Sequence, residues 1–458
     1  MNVLSAILFF PRGGSAQVAR DLAAALPEHS CDVTLLSGSL GSGLGDARTF
    51  YEGLDPRVVD FERGDAPMHP SFEDREGAPD RCFAKLDDGA YGAQVLAWAR
   101  ALEQAGGAEM DVIHLHHLTP MNEAACRVAP DVPVISHLHG TELAMLERIA
   151  AGPPQAWTHA ASWARRMRRW AAASTGLIVQ TTADVSLAAK LLEVEEDRIT
   201  VVPNGFDPQS FKPEVLDRGD FWRKHLVDSP RGWAPGMDAG SVSYSDDEVA
   251  VLDQSVVMVA VGRFTGVKRL GLVVRAFEQA RESSRRRISL VILGGHPGEW
   301  EGEHPLEAIV TSGAKDVFLA GWHGHSVLSD FFNAADVQVL GSVREQFGLV
   351  LVEGMACALP PIAVDAYGPK AIIDEGRTGW LVPPDDRAAL SRAMIEAADN
   401  GEERSRRGLA GRREATANYS WPAIAGDVAE LFRRVSAGPV ELPGRTEGQG
   451  DRALGEYF

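Results

Sequence analysis

Apolar and polar positions along this chain fall into two alternating patterns. Short, largely apolar runs, VLSAILFF, DVTLLSG, DVIHLHH, PVISHL, GLIVQT and ITVVPNG, are each separated by longer stretches, several of them with helical spacing. A second series follows: SVVMVAVGRF, RISLVILGG, DVFLAG, DVQVL, PPIAV and GWLV. Runs without a polar face mark strands buried on both sides, and helices between them make the sheets parallel. The pattern therefore predicts an α/β protein with two Rossmann-like domains, residues 1–205 and 206–418. Three segments break the rhythm: a Gly-, Pro- and acid-rich stretch from 38 to 88, a polar insertion from 212 to 254, and a Gly/Pro/charge-rich tail, 436–458, expected to be disordered.

Length agrees, because 458 residues exceed what one ordinary core holds. The first apolar run is too short and too poor in flanking basic residues for a signal peptide, so a cytoplasmic protein is expected. Cys31, Cys82, Cys126 and Cys357 have neither zinc nor disulfide spacing and are expected to be small core residues. A net charge of −19 argues against nucleic acid as partner. The basic face Arg165, Arg166, Arg168 and Arg169 reads as a solvated helix ahead of contact with a phosphorylated acceptor or a membrane surface.

Candidate chemistry gathers at expected strand ends. Glu345 and Glu353 bracket a helix start at Gly348, where the amides of Gly348, Leu349 and Val350 lack intrahelical partners and suit oxygen-rich ligands. A buried Glu353 requires a hydrogen-bonding partner. Arg263 and Lys268 follow another strand, where two cations would offset charge on a departing diphosphate. The loop Gly13-Gly14 is not G-x-G-x-x-G and no acid follows at dinucleotide spacing, so a dehydrogenase is the weaker reading. His116, His117, His137 and His139 lack a carboxylate or cysteine that would complete a ligand set, so no metal site is expected.

The pattern Glu-x7-Glu enclosing Phe-Gly-Leu, followed by PPIAVDAYGPKAIIDEGRTGWLV, resembles the donor-sugar site of retaining family-4 glycosyltransferases of GT-B fold (glycosyl transferases group 1). The resemblance covers nearly all of the chain except the insertions and the tail. It implies transfer of a sugar from a nucleoside-diphosphate sugar, such as a UDP-sugar, to a glycan or small-molecule acceptor, without cofactor or required metal. It assigns donor contacts to Gly13, Gly14, Arg263, Lys268, Glu345, Phe347, Gly348, Leu349 and Glu353. His139, Gly140, Thr141 and Glu142 would form the acceptor side, with Glu345, His139, Arg263 and Lys268 the catalytic set. A closing helix, 419–435, would cross back onto the first domain. An epimerase, or a disaccharide phosphorylase or synthase, on the same fold is the alternative.

Overall fold

The protein is described from a computed structural model, covering residues 1–11, 13–41, 45–61, 70–72 and 81–437. The expected tail beyond 437 lies outside the described residues, as does much of the 38–88 stretch.

The first sheet contains β1 (Asn2–Ile7), β2 (Asp32–Ser39), β3 (Arg57–Asp60), β6 (Val112–His116), β7 (Val134–His137), β8 (Gly176–Val179) and β9 (Ile199–Val201), ordered β3-β2-β1-β6-β7-β8-β9. A two-residue pair, β4 (Pro70–Ser71) and β5 (Arg81–Cys82), stands apart from it. The second sheet contains β10 (Val256–Val261), β11 (Ile288–Leu293), β12 (Val317–Gly321), β13 (Val337–Leu340), β14 (Pro361–Val364) and β15 (Trp380–Val382), ordered β12-β11-β10-β13-β14-β15. All pairings in both are parallel, and β6, β7, β8, β11, β12, β13 and β14 are buried at every position. The largely apolar runs have this cause: helices cover both faces. In each sheet the strand order reverses beside the first strand, which opens a crevice at the carboxyl ends.

The helix Trp421–Ser436 packs on the first sheet rather than the second. Ile424, Ala425, Val428 and Phe432 share a buried cluster with Val3, Val112, Ile135 and Ile178. The chain thus crosses between the halves twice, and the crossings lie side by side. The Phe206 amide donates to the Tyr419 carbonyl at 2.8 Å and the Trp421 amide to the Phe206 carbonyl at 3.0 Å. A side chain at Gly205 would strike the Trp421 ring at 2.7 Å, so the crossing leaves no room for one.

Polar by composition, the 212–254 insertion is nevertheless built into the second half. Trp222 and Trp233 are fully buried, and the Trp233 indole donates to the Gly295 carbonyl at 2.8 Å. The Leu319 amide donates to Tyr244 Oη at 2.7 Å, and a side chain at Gly232 would meet the Leu319 carbonyl at 2.4 Å. Leu319 lies in β12, an edge strand, so the insertion covers an otherwise open sheet edge.

Candidate active site

The loop before the helix Leu349–Ala356 is shaped by Gly348, which holds φ +96° as N-cap. That conformation suits glycine and turns the chain so that the first helical amides stay unpaired within the helix. Glu345 forms an ion pair with Lys268 Nζ, both largely but not fully buried. Its carbonyl accepts from the Gly368 amide at 2.9 Å, so the Gly368 turn is fastened to the acid loop. A Cβ at Gly368 would sit 2.0 Å from the Phe347 carbonyl oxygen, so only glycine fits there. Arg263 is exposed after β10 and forms no ion pair with a described residue.

Glu353 is 3% exposed and has the partner its burial demands: His325 Nε2 lies 2.7 Å from its Oε1. Burial pushes the Glu353 carboxyl up, only partly countered by His325. Burial pushes His325 down, but its bond to Glu353 outweighs this and leaves it raised. The charges of Asp21 and Arg20 also reach His325, which places the helix Gly13–Ala25 of the first half opposite it. Gly14, in that helix, faces open space where a side chain would meet nothing within 4 Å.

The side chains of Glu142 and Phe347, both assigned to ligands from the sequence, are buried in the structure. Glu142 is fully buried, accepting from His117 Nδ1 at 2.6 Å and from the His139 amide at 3.2 Å. Burial pushes its carboxyl up, but His117 and the hydrogen bonds outweigh that and hold it below the usual carboxylate range. It supports the His139–Gly140 loop from beneath. Phe347 points its ring into the core, 4% exposed and 5.8 Å from the Tyr419 ring, leaving only its backbone for a donor.

His139 is partly exposed, with its Nε2 3.0 Å from His116 Nδ1. Gly140 caps the helix Thr141–Ala151 at φ +85°, and a Cβ there would lie 2.5 Å from Gln346 Cδ. Arg344 Nη2 also meets Glu147 Oε2 at 2.7 Å across the same gap. The His139–Gly140 loop and the acid loop, 200 residues apart in sequence, thus face each other at close range. The sequence reading of His116 as packed and hydrogen-bonded holds, the same reading of His137 does not, and the partner of His116 together with the pairings of His117 with Glu142 and of His325 with Glu353 were not foreseen. These contacts span 23 to 28 residues and leave no local pattern.

A cleft of about 490 Å³ lies where Arg231, Asp238 and Ala239 of the insertion face His296, Pro297 and Trp322. A depression of similar size, lined by Cys126 and Pro133 among others, lies at the opposite, amino-terminal ends of β7 and β8. Cys126 is exposed there, unlike the other three cysteines, because its helix presents it to solvent.

Two parallel-sheet halves, with the acid loop of one facing the His139 loop of the other, define a glycosyltransferase of GT-B fold. Residues 12–210 match the family described as Glycosyltransferase Family 4, and residues 245–414 the family Glycosyl transferases group 1. The chain belongs to these family-4, group 1 glycosyltransferases. It is 25% identical over 438 residues to a D-inositol 3-phosphate glycosyltransferase of Xylanimonas cellulosilytica, covering 93% of this chain and 92% of the relative. The protein of that name from Stackebrandtia nassauensis is 24% identical over 380 residues, 79% and 78% of the two chains. Among solved structures, the sucrose-phosphate synthase of Thermosynechococcus elongatus superposes with TM-score 0.68 at 18% identity, over 96% of this chain and 100% of that one. HepE of Anabaena, in complex with UDP and glucose, gives TM-score 0.66 at 16% identity, over 95% and 100%. No helix of the described residues is long and apolar enough to cross a membrane.

Proposed function

We propose that the chain moves a glycosyl unit from a nucleoside-diphosphate sugar to a sugar-like or small-molecule acceptor with retention of anomeric configuration. The observation that carries this is the Glu345–Lys268 pair beside Arg263, with the Gly348 helix start next to it. Lys268 and Arg263 meet the diphosphate, Glu345 takes sugar hydroxyls, and Glu353 with His325 takes the ribose. The acceptor enters from the His139 side, and the first half holds it.

Glu345 is engaged by Lys268 and Glu142 by His117, which leaves neither carboxylate placed as a free nucleophile. The acceptor oxygen therefore bonds to the anomeric carbon on the face from which the diphosphate departs. Its proton passes to the departing phosphate oxygen as the carbon–oxygen bond to phosphate breaks. Arg263 and Lys268 stabilise the charge that develops there. His139 orients the reactants. On this reading transfer needs no added magnesium or manganese, and the reaction belongs in the cytoplasm.

The test is a panel of UDP-, GDP-, ADP- and dTDP-sugars scored by thermal shift and then by turnover. UDP-glucose leads the donors because of the HepE complexes, and inositol phosphates lead the acceptors because of the relatives' names. NMR of the product is expected to show the donor's anomeric configuration. An inverted product, a stable glycosyl adduct on Glu345 or Glu142, or turnover lost in chelator and restored by Mg²⁺ or Mn²⁺ would overturn this reading.

A further inference from the structure

His116 and His137, read from the sequence as part of no metal site, converge in space with a third histidine, His114. His114 and His116 are two positions apart on β6 and so share one face of the sheet. In the register of β6 with β7, His116 lies directly beside His137. All three are at most 1% exposed, and one ring nitrogen from each lies within 4.8 Å of the others. The helix Trp421–Ser436 closes the site from above, with the Phe432 ring 5.3 Å from that of His114.

Two facts separate this cluster from ordinary core histidines. Both ring nitrogens of His114 and both of His137 are buried without a hydrogen-bond partner among the described residues. Each orphaned donor or acceptor of this kind costs about 1–3 kcal/mol, a penalty the fold has no packing reason to keep. The second fact is spacing. The ring centroids stand 4.5 Å (His114–His116), 5.4 Å (His116–His137) and 5.5 Å (His114–His137) apart. Three imidazoles bound tetrahedrally at metal–nitrogen distances of ~2.0–2.1 Å place their centroids roughly 5 Å apart.

We propose that His114, His116 and His137 bind one borderline transition-metal ion, zinc foremost, within the first sheet. Neutral imidazole is the form that ligates. An all-imidazole set favours zinc, cobalt, nickel or copper over magnesium and calcium, which take oxygen. With His116 bound through Nε2, its Nδ1–H donates to His139 Nε2 at 3.0 Å, the outer-shell arrangement usual for metal-bound histidine. Ser5 Oγ lies 3.4 Å from His116 Nε2, a long contact that metal binding through that nitrogen would replace. A hydroxide or monoanion as fourth ligand would offset one of the two charges of the ion, leaving the shell at +1. The ion would tie β6 to β7 and fix the ring on which the His139 loop rests. None of its three ligands is among the proposed donor contacts, and the ion would reach the transfer site through the His116–His139 contact.

The experiment uses the full chain without a polyhistidine tag, stripped of metal by chelator and dialysed. Titration with Co²⁺ is expected to give one equivalent with the intense visible bands of a tetrahedral nitrogen site, and Zn²⁺ to raise Tm by several degrees. His114→Gln and His137→Gln are expected to lose both responses while keeping the wild-type far-UV spectrum. Absence of stoichiometric Co²⁺ and of a zinc-induced Tm rise in the wild type would overturn the proposal, as would equal responses in both variants. Should the variants fail to fold, the Co²⁺ spectrum of the wild type decides: weak octahedral bands refute the site, and tetrahedral bands without thiolate charge transfer support it.

Discussion

Replacing Glu142 by alanine separates two accounts of the acceptor-side loop. If Glu142 touched the acceptor, its loss would raise the acceptor KM and leave stability alone. The structure instead gives it the His117 ring at 2.6 Å and the His139 amide at 3.2 Å, with no solvent exposure. Breaking a buried pair of this kind is worth about 3–5 kcal/mol, a large share of the ~5–15 kcal/mol that holds a domain folded. Urea unfolding followed by tryptophan fluorescence is expected to show a lower midpoint for Glu142→Ala, with Glu142→Gln between it and the wild type. Because the carboxylate also anchors the His139 backbone, kcat falls more than acceptor KM rises. The pH dependence has a definite sign. The folded carboxyl sits below its ordinary value of 4.5, so its contribution is complete above about pH 4.5 and fades as pH falls through the lower folded value. The midpoint gap between wild type and Glu142→Ala therefore narrows in acid. An unchanged midpoint with a raised acceptor KM would refute the argument and restore the ligand role.

Glu345→Gln is expected to lower turnover roughly 10²–10³-fold with a wild-type unfolding curve, the scale of one electrostatic contact at a reacting centre; unchanged turnover removes Glu345 from the site. Glu353→Ala should weaken nucleotide binding measured by calorimetry more than it slows bound-state turnover, since ribose contacts are equal in ground and transition states; equal nucleotide affinity contradicts this. Gly368→Ala drives a methyl to 2.0 Å from the Phe347 carbonyl, so donor binding should fall sharply as the acid loop shifts; wild-type donor affinity would show that the loop yields freely. Trp222→Ala should cost about 3–5 kcal/mol of stability in the second half, as a core deletion does; a neutral effect would make the insertion an appendage.

The sheets were readable because strands buried on both faces carry largely apolar runs, and the acid loop because glycine and two acids stand at fixed spacing. What was not readable depended on partners distant in sequence. Glu142 follows a glycine at an expected strand end, a position that in isolation reads as open; His117, on the neighbouring strand's end, buries it. Phe347 precedes Gly348, and the φ +96° turn sends its ring inward to Tyr419, 72 residues on. The insertion's charges hid two tryptophans whose burial decides its role. His325 and Glu353 meet because β12 ends, and the helix after β13 begins, at the same mouth.

The return of Trp421–Ser436 to the first sheet bears on how the protein is made. A ribosome releases β9 at Val201 long before it releases Phe432, the residue that closes the face formed by Val3, Val112, Ile135 and Ile178. At ~5–20 residues per second, the intervening stretch takes on the order of tens of seconds. Throughout that interval the nascent first half carries an uncovered apolar face, while the second half can complete itself. The amino-terminal half of this enzyme is thus the last to finish folding, and a chain truncated before Trp421 leaves it open to chaperones and to aggregation.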